Sequence, residues 1–152
     1  MPVTSAGILL YRRKKGQAEV FLVHPGGPFW AKRDLGAWSV PKGLVEGDED
    51  RLLAAQREFK EETGFDVRGP FRELGEFRQP SGKRLHVWTA KGDVDPSKLV
   101  SNSFELVWPP KSGRAQSFPE ADRGAWFARE DAFEKIVEGQ KSIVEAFYSG
   151  LK

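Results

Sequence analysis

Two apolar runs open the chain, AGILLY at 6–11 and AEVFLVH at 18–24, parted by the polar stretch RRKKGQ. Their alternation with polar residues and their β-branched and aromatic content predict two strands joined by a turn. PGGPFWAKRDLG, at 25–36, is rich in Gly and Pro and predicts an ordered loop. AWSVP, at 37–41, predicts a short strand. From about residue 49 to 63 apolar positions recur at helical spacing, and Gly64 stands just past them as a helix end. FDVRGPFRELGEFRQP and KRLHVWTAKG read as strands; in the second, Leu85, Val87 and Thr89 alternate with His86 and Trp88. DPSKLVSN is a turn-rich connection and SFELVWPP, 103–110, a further strand. KSGRAQSFPEADRG, 111–124, predicts a mobile loop, and AWFA, 125–128, a last strand. Residues 129–152 are helical in pattern, with a break at Gly139. Strands dominate, with one helix in the middle and one at the end. This predicts an α/β (α+β) fold, a mixed sheet flanked by helices, as one domain over residues 1–152.

The middle helix carries the chemistry. At roughly 100° per residue, Leu52, Ala55, Gln56, Phe59 and Thr63 share one arc and predict its core face. Glu58, Glu61 and Glu62 share the neighbouring arc, at i+3 and i+4 spacing. A solvated helix places a basic residue four positions from an acid; here Glu58 meets Glu62. Left uncompensated, such repulsion costs stability. Either the acids form a plain solvated face, or they hold a hard cation such as Mg²⁺ or Mn²⁺, which takes oxygen ligands. Spacing alone leaves both readings open.

Composition narrows the classes. A length of 152 residues suits a single core. A net charge of +2 does not call for a nucleic-acid partner. The absence of cysteine removes disulfides, thiol nucleophiles and thiolate zinc sites, and fits a cytoplasmic protein. No apolar run approaches the ~20 residues of a membrane span, so no membrane partner is expected. In MPVTSAGILLYRRKK the basic residues follow the apolar run, the reverse of a signal peptide. His24 and His86 lie in separate strand-like runs and read as packing or surface residues, not as a metal site.

Gly43, Glu49, Arg57-Glu58, Glu61-Glu62 and Gly64-Phe65 together resemble the signature box of the Nudix hydrolases. All seven fixed identities fall at the family's offsets; Phe59 stands where an aliphatic residue is usual. The box covers 23 of the 152 residues, and the order of strands around it is similar to the family's α/β/α sandwich. The resemblance implies that Glu58, Glu61 and Glu62, with the main-chain carbonyl of Lys42, ligate Mg²⁺ or Mn²⁺. It implies hydrolysis of a pyrophosphate bond in a nucleoside diphosphate linked to a further group. Glu61 is the first candidate for the base, and Glu120, in the later SFPEADRG segment, the second, as base or extra ligand; a solvated loop acid is its plain reading. Arg57 and Glu49 are expected to pair and orient the loop–helix junction. Gly43 and Gly64 are expected at a tight turn and a helix end.

Substrate clues are thinner. Pro41-Lys42-Gly43 leading into the box looks like the diadenosine polyphosphate hydrolases and their RNA 5′-pyrophosphohydrolase relatives. Lys42 would then contact phosphate as well. Lys83, Arg84, Lys111 and Arg114 are candidate phosphate contacts, or ordinary solubilising charges. Of the five tryptophans, Trp30 and Trp108 are candidates to stack on a base, or to pack; Trp38, Trp88 and Trp126 read as core. The expected partner is a small nucleotide, with a dinucleoside polyphosphate favoured over a nucleoside triphosphate or an RNA 5′-triphosphate end. A non-catalytic, nucleotide-sensing module is the alternative from another class. The pattern prescribes no particular oligomer.

Overall fold

The computed structural model describes residues 3–151. Its strands are β1 (Thr4–Lys14), β2 (Gln17–Pro25), β3 (Lys42–Leu44), β4 (Arg72–Arg78), β5 (Arg84–Lys91), β6 (Ser103–Val107), β7 (Ala115–Pro119) and β8 (Ala121–Ala128). Its helices are α1 (Arg51–Thr63), α2 (Arg129–Lys135) and α3 (Lys141–Ser149). The predicted break near Gly139 is a short 3₁₀ turn, Glu138–Gln140, between α2 and α3. The last residue of that predicted helix, Lys152, lies outside the described residues, as do Met1 and Pro2.

The main sheet runs β4-β5-β1-β2-β8, parallel only between β1 and β5. Strands β1 and β2 pair only near their hairpin, from Tyr11↔Val20 to Lys14↔Gln17. Beyond that they part, and residues 39–44 enter the gap. Ser39 exchanges both backbone hydrogen bonds with Val23 at 2.9 Å, Ile8 N–H donates to Pro41 O, and β3 pairs with Ser5–Gly7. The predicted strand at 37–41 is therefore a pair of isolated bridges, and the regular strand begins one residue later. The wedge carries the start of the box into the split between two central strands.

Alternation along β1 and β5 feeds two cores. Ala6, Ile8 and Leu10 pack with Phe21, Ala54, Ala55 and Phe59 under α1. Leu9, Leu85 and Val87 pack with Val40, Ile136, Ile143 and Phe147 on the other face, under α2 and α3. This is the expected α/β/α sandwich. The predicted arc of α1 needs one adjustment: Ala54 is fully buried, whereas Leu52 and Gln56 are only partly covered. Trp38 is core as predicted; Trp88 and Trp126 are partly buried. No helix among the described residues is long and apolar enough to cross a membrane.

The predicted mobile loop at 111–124 is overturned. Residues 115–119 form β7, antiparallel to β6 in a separate hairpin, and β8 starts at Ala121. β6 lies within the predicted strand at 103–110 and alternates polar and apolar residues from Ser103 to Leu106, whereas residues 115–117 of β7 are all exposed; Phe104 facing Phe118 is their main apolar pairing.

Candidate active site

Helix α1 starts where Asp50 accepts the Leu53 N–H at 3.1 Å. It ends at Gly64, whose φ of 81° is the left-handed cap that glycine adopts freely. The buried Ala54, Ala55, Phe59 and Thr63 fix its rotation, which leaves Glu58, Glu61 and Glu62 facing β3 and the hairpin root.

Arg57 answers the charge problem posed by the sequence. Its guanidinium grips Glu49 with two bonds of 2.9 Å, donates to Glu58 at 2.8 Å and Glu61 at 3.1 Å, and reaches the Leu44 carbonyl at 3.1 Å. The predicted Arg57–Glu49 pair is thus the hub of a larger network. Hydrogen bonding to Glu49 in particular pushes the Arg57 pKa further up, and Arg57 holds the Glu49 carboxyl below its ordinary range.

Glu62 lies deepest. It accepts the Lys42 N–H at 3.1 Å, yet burial, with smaller repulsion from Glu120 and Glu58, pushes its pKa up to about 7. Burial also raises Glu58, against the pull of Arg57 and with Glu61 and Glu120 adding repulsion. Glu120 stands at the exposed rim, its pKa raised by partial burial and by Glu61.

A backbone relay sets Glu120 there. Glu61 O accepts the Asn102 N–H at 2.8 Å, Asn102 O accepts the Glu120 N–H at 2.7 Å, and Glu120 O accepts the Gly26 N–H at 3.0 Å. The end of α1, the hairpin root and the Gly-rich loop are tied in series, which the sequence could not show.

Gly43 is needed for a reason other than the predicted tight turn. It lies within β3, and a Cβ on it would sit 1.9 Å from the Glu58 carboxyl carbon. The carboxylate of Glu58 rests directly on the Gly43 backbone. Gly43→Ala is therefore expected to fold, because the displaced group is the end of a side chain, and to lose at least about tenfold in turnover. Steady-state kinetics beside a melting curve check this; turnover within twofold of the parent would show that Glu58 need not sit there.

These oxygens form the hard donor set that a divalent cation prefers, on a glycine cradle and with carboxyl pKa values raised by burial and mutual repulsion. Among the described residues no three acidic or histidine side chains are already grouped to grip an ion; Arg57 holds one oxygen each of Glu58 and Glu61. The residues fit the ion in the kind of donor they offer.

The substrate candidates separate. Trp30 and Lys42 line one cleft of about 430 Å³ with Ser39, Gln79, Pro80 and Gln140. Gln140 is fully buried and pins that wall by accepting the Val40 N–H and donating to Ser39 Oγ. Trp108 sits beyond β6, edge-on to Phe29 of the Gly-rich loop at 5.2 Å. Lys111 and Arg114 are exposed in the hairpin turn. Lys83 is exposed beside the cleft-lining turn, and Arg84 leans toward Glu76 at 3.8 Å. Of the seven, only Trp30 and Lys42 line this cleft, and Lys42 stands directly before the box.

The NUDIX domain family matches residues 1–147. The chain belongs to the NUDIX family. Over 80 residues, 48% of this chain, it is 41% identical to an 8-oxo-(d)GTP phosphatase of Mycolicibacterium smegmatis; the match spans 23% of that relative's length. An uncharacterised 17.7 kDa protein of Enterobacteria phage T4 is 31% identical over 132 residues, 85% of this chain and 84% of that one. Among solved structures, a C. elegans Ap4A hydrolase binary complex superposes with a TM-score of 0.65 at 23% identity, covering 95% of this chain and 96% of that one. The NUDIX domain of Shewanella oneidensis NrtR, complexed with ADP ribose, gives 0.68 at 15% identity, covering 100% and 90%. These two likenesses speak for the NUDIX fold.

The two histidines take different places. His86 stacks on Trp88 at 4.0 Å, meets Glu73, and places its Nδ1 3.2 Å from the Arg51 guanidinium at the start of α1. His24 is fully buried and bridges two segments of the site.

Proposed function

We propose that this NUDIX protein is a divalent-metal-dependent pyrophosphohydrolase of nucleoside polyphosphates. The observation that carries the reading is the convergence of Glu58, Glu61, Glu62 and Glu120 beside the Gly43 cradle, where the charge of Glu61 adds to the upward shifts of Glu58 and Glu120, and those two add to that of Glu62. Glu58, Glu61 and Glu62, with the Lys42 carbonyl, would hold Mg²⁺ or Mn²⁺. What such an ion supplies is neutralised charge on the pyrophosphate oxygens and a water of lowered pKa. Glu61 or Glu120 accepts the proton from the attacking water. The water oxygen bonds to phosphorus, and the bridging oxygen leaves with the other product. Arg57, held by Glu49, keeps Glu58 and Glu61 aimed. The Lys42 side chain meets phosphate and Trp30 stacks on the base, a contact of roughly 1–3 kcal/mol.

A dinucleoside polyphosphate is the first substrate reading, from Lys42 ahead of Gly43, with Lys83 and Arg84 near the cleft-lining turn as further cations for a long phosphate chain. A nucleoside triphosphate, including an oxidised one, is the second, favoured by the 41% identity to the M. smegmatis phosphatase. With diadenosine tetraphosphate and Mg²⁺, Glu61→Gln is expected to lower turnover at least roughly 100-fold with a near-parental melting curve. Parental turnover in that variant would exclude Glu61 from the chemistry.

A further inference from the structure

His24 lies on β2, two residues before Gly26, and is fully shielded from solvent. Its Nδ1 is 2.9 Å from the Asp122 carboxylate, and its Nε2 is 2.6 Å from the Arg33 carbonyl oxygen. Both partners are acceptors, so both bonds form together only when each ring nitrogen carries a hydrogen. The ring lies edge-on to Trp38 at 5.2 Å, and Arg123 covers Trp38 at 5.2 Å while donating to Asp122 at 3.2 Å. An apolar side chain would fill this hole without needing either acceptor.

The two acceptors belong to different working parts. Arg33 closes the turn that carries Trp30: its N–H donates to the Trp30 carbonyl at 2.9 Å, and its guanidinium lies 5.6 Å from the Trp30 ring. Asp122 stands two residues after Glu120 on the strand whose start the backbone relay fixes. No other side chain on β2 reaches both segments with hydrogen bonds among those described.

We propose that His24 is a positioning residue, one ring nitrogen holding the Trp30 turn and the other holding the Glu120 strand, so that the substrate wall and the acidic site keep one geometry. The inference rests on the roles proposed above for Trp30 and Glu120.

Two near-isosteric variants separate the halves. The amide nitrogen of Asn falls near Nδ1, so His24→Asn keeps the donor to Asp122 and drops the one to Arg33. The amide nitrogen of Gln falls near Nε2, so His24→Gln keeps the donor to Arg33 and drops the one to Asp122. Amide hydrogen exchange is the first readout, because it needs no substrate. His24→Asn is expected to speed exchange roughly tenfold in residues 30–34 and leave 118–122 near parental; His24→Gln is expected to do the reverse. With diadenosine tetraphosphate and Mg²⁺, His24→Asn should then raise KM roughly fivefold with kcat near parental. His24→Gln should lower kcat roughly tenfold with KM near parental. Exchange that rises equally in both segments for both variants, or that moves in neither, overturns the proposal. Trp30→Ala and Glu120→Gln are the controls. If exchange splits as expected but neither control alters hydrolysis, the strap stands and the assigned roles of Trp30 and Glu120 fall.

Discussion

In buffer free of divalent ions, Glu62→Gln is expected to melt higher than the parent protein at pH 8 and to match it at pH 4. Burial is the main reason that Glu62 moves from 4.5 to about 7 on folding. Between those values the unfolded chain has released a proton that the folded chain still holds. The parent therefore loses stability as pH rises from about 4.5 through about 7, and the loss levels off above that range. A shift of this size corresponds to a loss of the order of 3 kcal/mol. Gln has the same shape, and its carbonyl oxygen can still accept the Lys42 N–H, but it has no charge to bury. The variant should thus escape the loss while turnover falls at least roughly 100-fold. Millimolar Mg²⁺ should raise the parent's Tm at pH 8 and raise the variant's far less, because a ligand stabilises only the state that binds it. Thermal melts at the two pH values, with and without Mg²⁺, check all of this. Identical melting of the two proteins at pH 8 would mean that the Glu62 charge costs the fold nothing.

Removing the opposite charge should do the opposite. Arg57→Ala leaves Glu49, Glu58 and Glu61 without their shared cation. At pH 8 without metal it is expected to lower Tm by roughly 5 °C or more, and turnover by roughly 10–100-fold. The deficit in Tm should shrink toward pH 4, as the carboxylates take up protons and no longer need a partner. Arg57→Lys should rescue little, since a single ammonium cannot make the two-bond grip on Glu49 and also reach Glu58, Glu61 and Leu44. Full rescue by Lys would show that bulk charge suffices and that the fork geometry is incidental.

The box was legible because its chemistry is local. Glu58, Glu61 and Glu62 sit on one helix, so spacing alone puts them on one arc, and Arg57 and Glu49 lie within eight residues of each other. The middle helix, the main strands and the break near Gly139 follow from the same short-range patterns. What depended on distant segments was not legible. Glu120 stood out only as an acid in a loop; its approach to Glu61 depends on the relay through Asn102 and Gly26. Of the second hairpin, β6 is legible in SFELV, but β7 is not, because residues 115–117 are exposed and give no alternation. Gly43 was assigned the wrong task, because a close side-chain approach from residue 58 leaves no mark on neighbouring residues. His24 reads as a core residue in an apolar run, and nothing nearby in sequence announces Asp122 as its partner. Lys111 and Arg114 were grouped with the cleft by charge alone, whereas the hairpin carries them in its turn.

The most direct test of the central claim is a product assay on the parent protein, with and without Mg²⁺. It sets diadenosine tetraphosphate, GTP, 8-oxo-dGTP, ADP-ribose and a 5′-triphosphorylated RNA side by side. The account predicts Mg²⁺-dependent cleavage of a P–O–P bond, with diadenosine tetraphosphate yielding ATP and AMP and Glu61→Gln inactive on the same substrate. All five remaining intact, while Mg²⁺ still raises Tm, would contradict hydrolysis and leave a nucleotide-binding NUDIX module in its place.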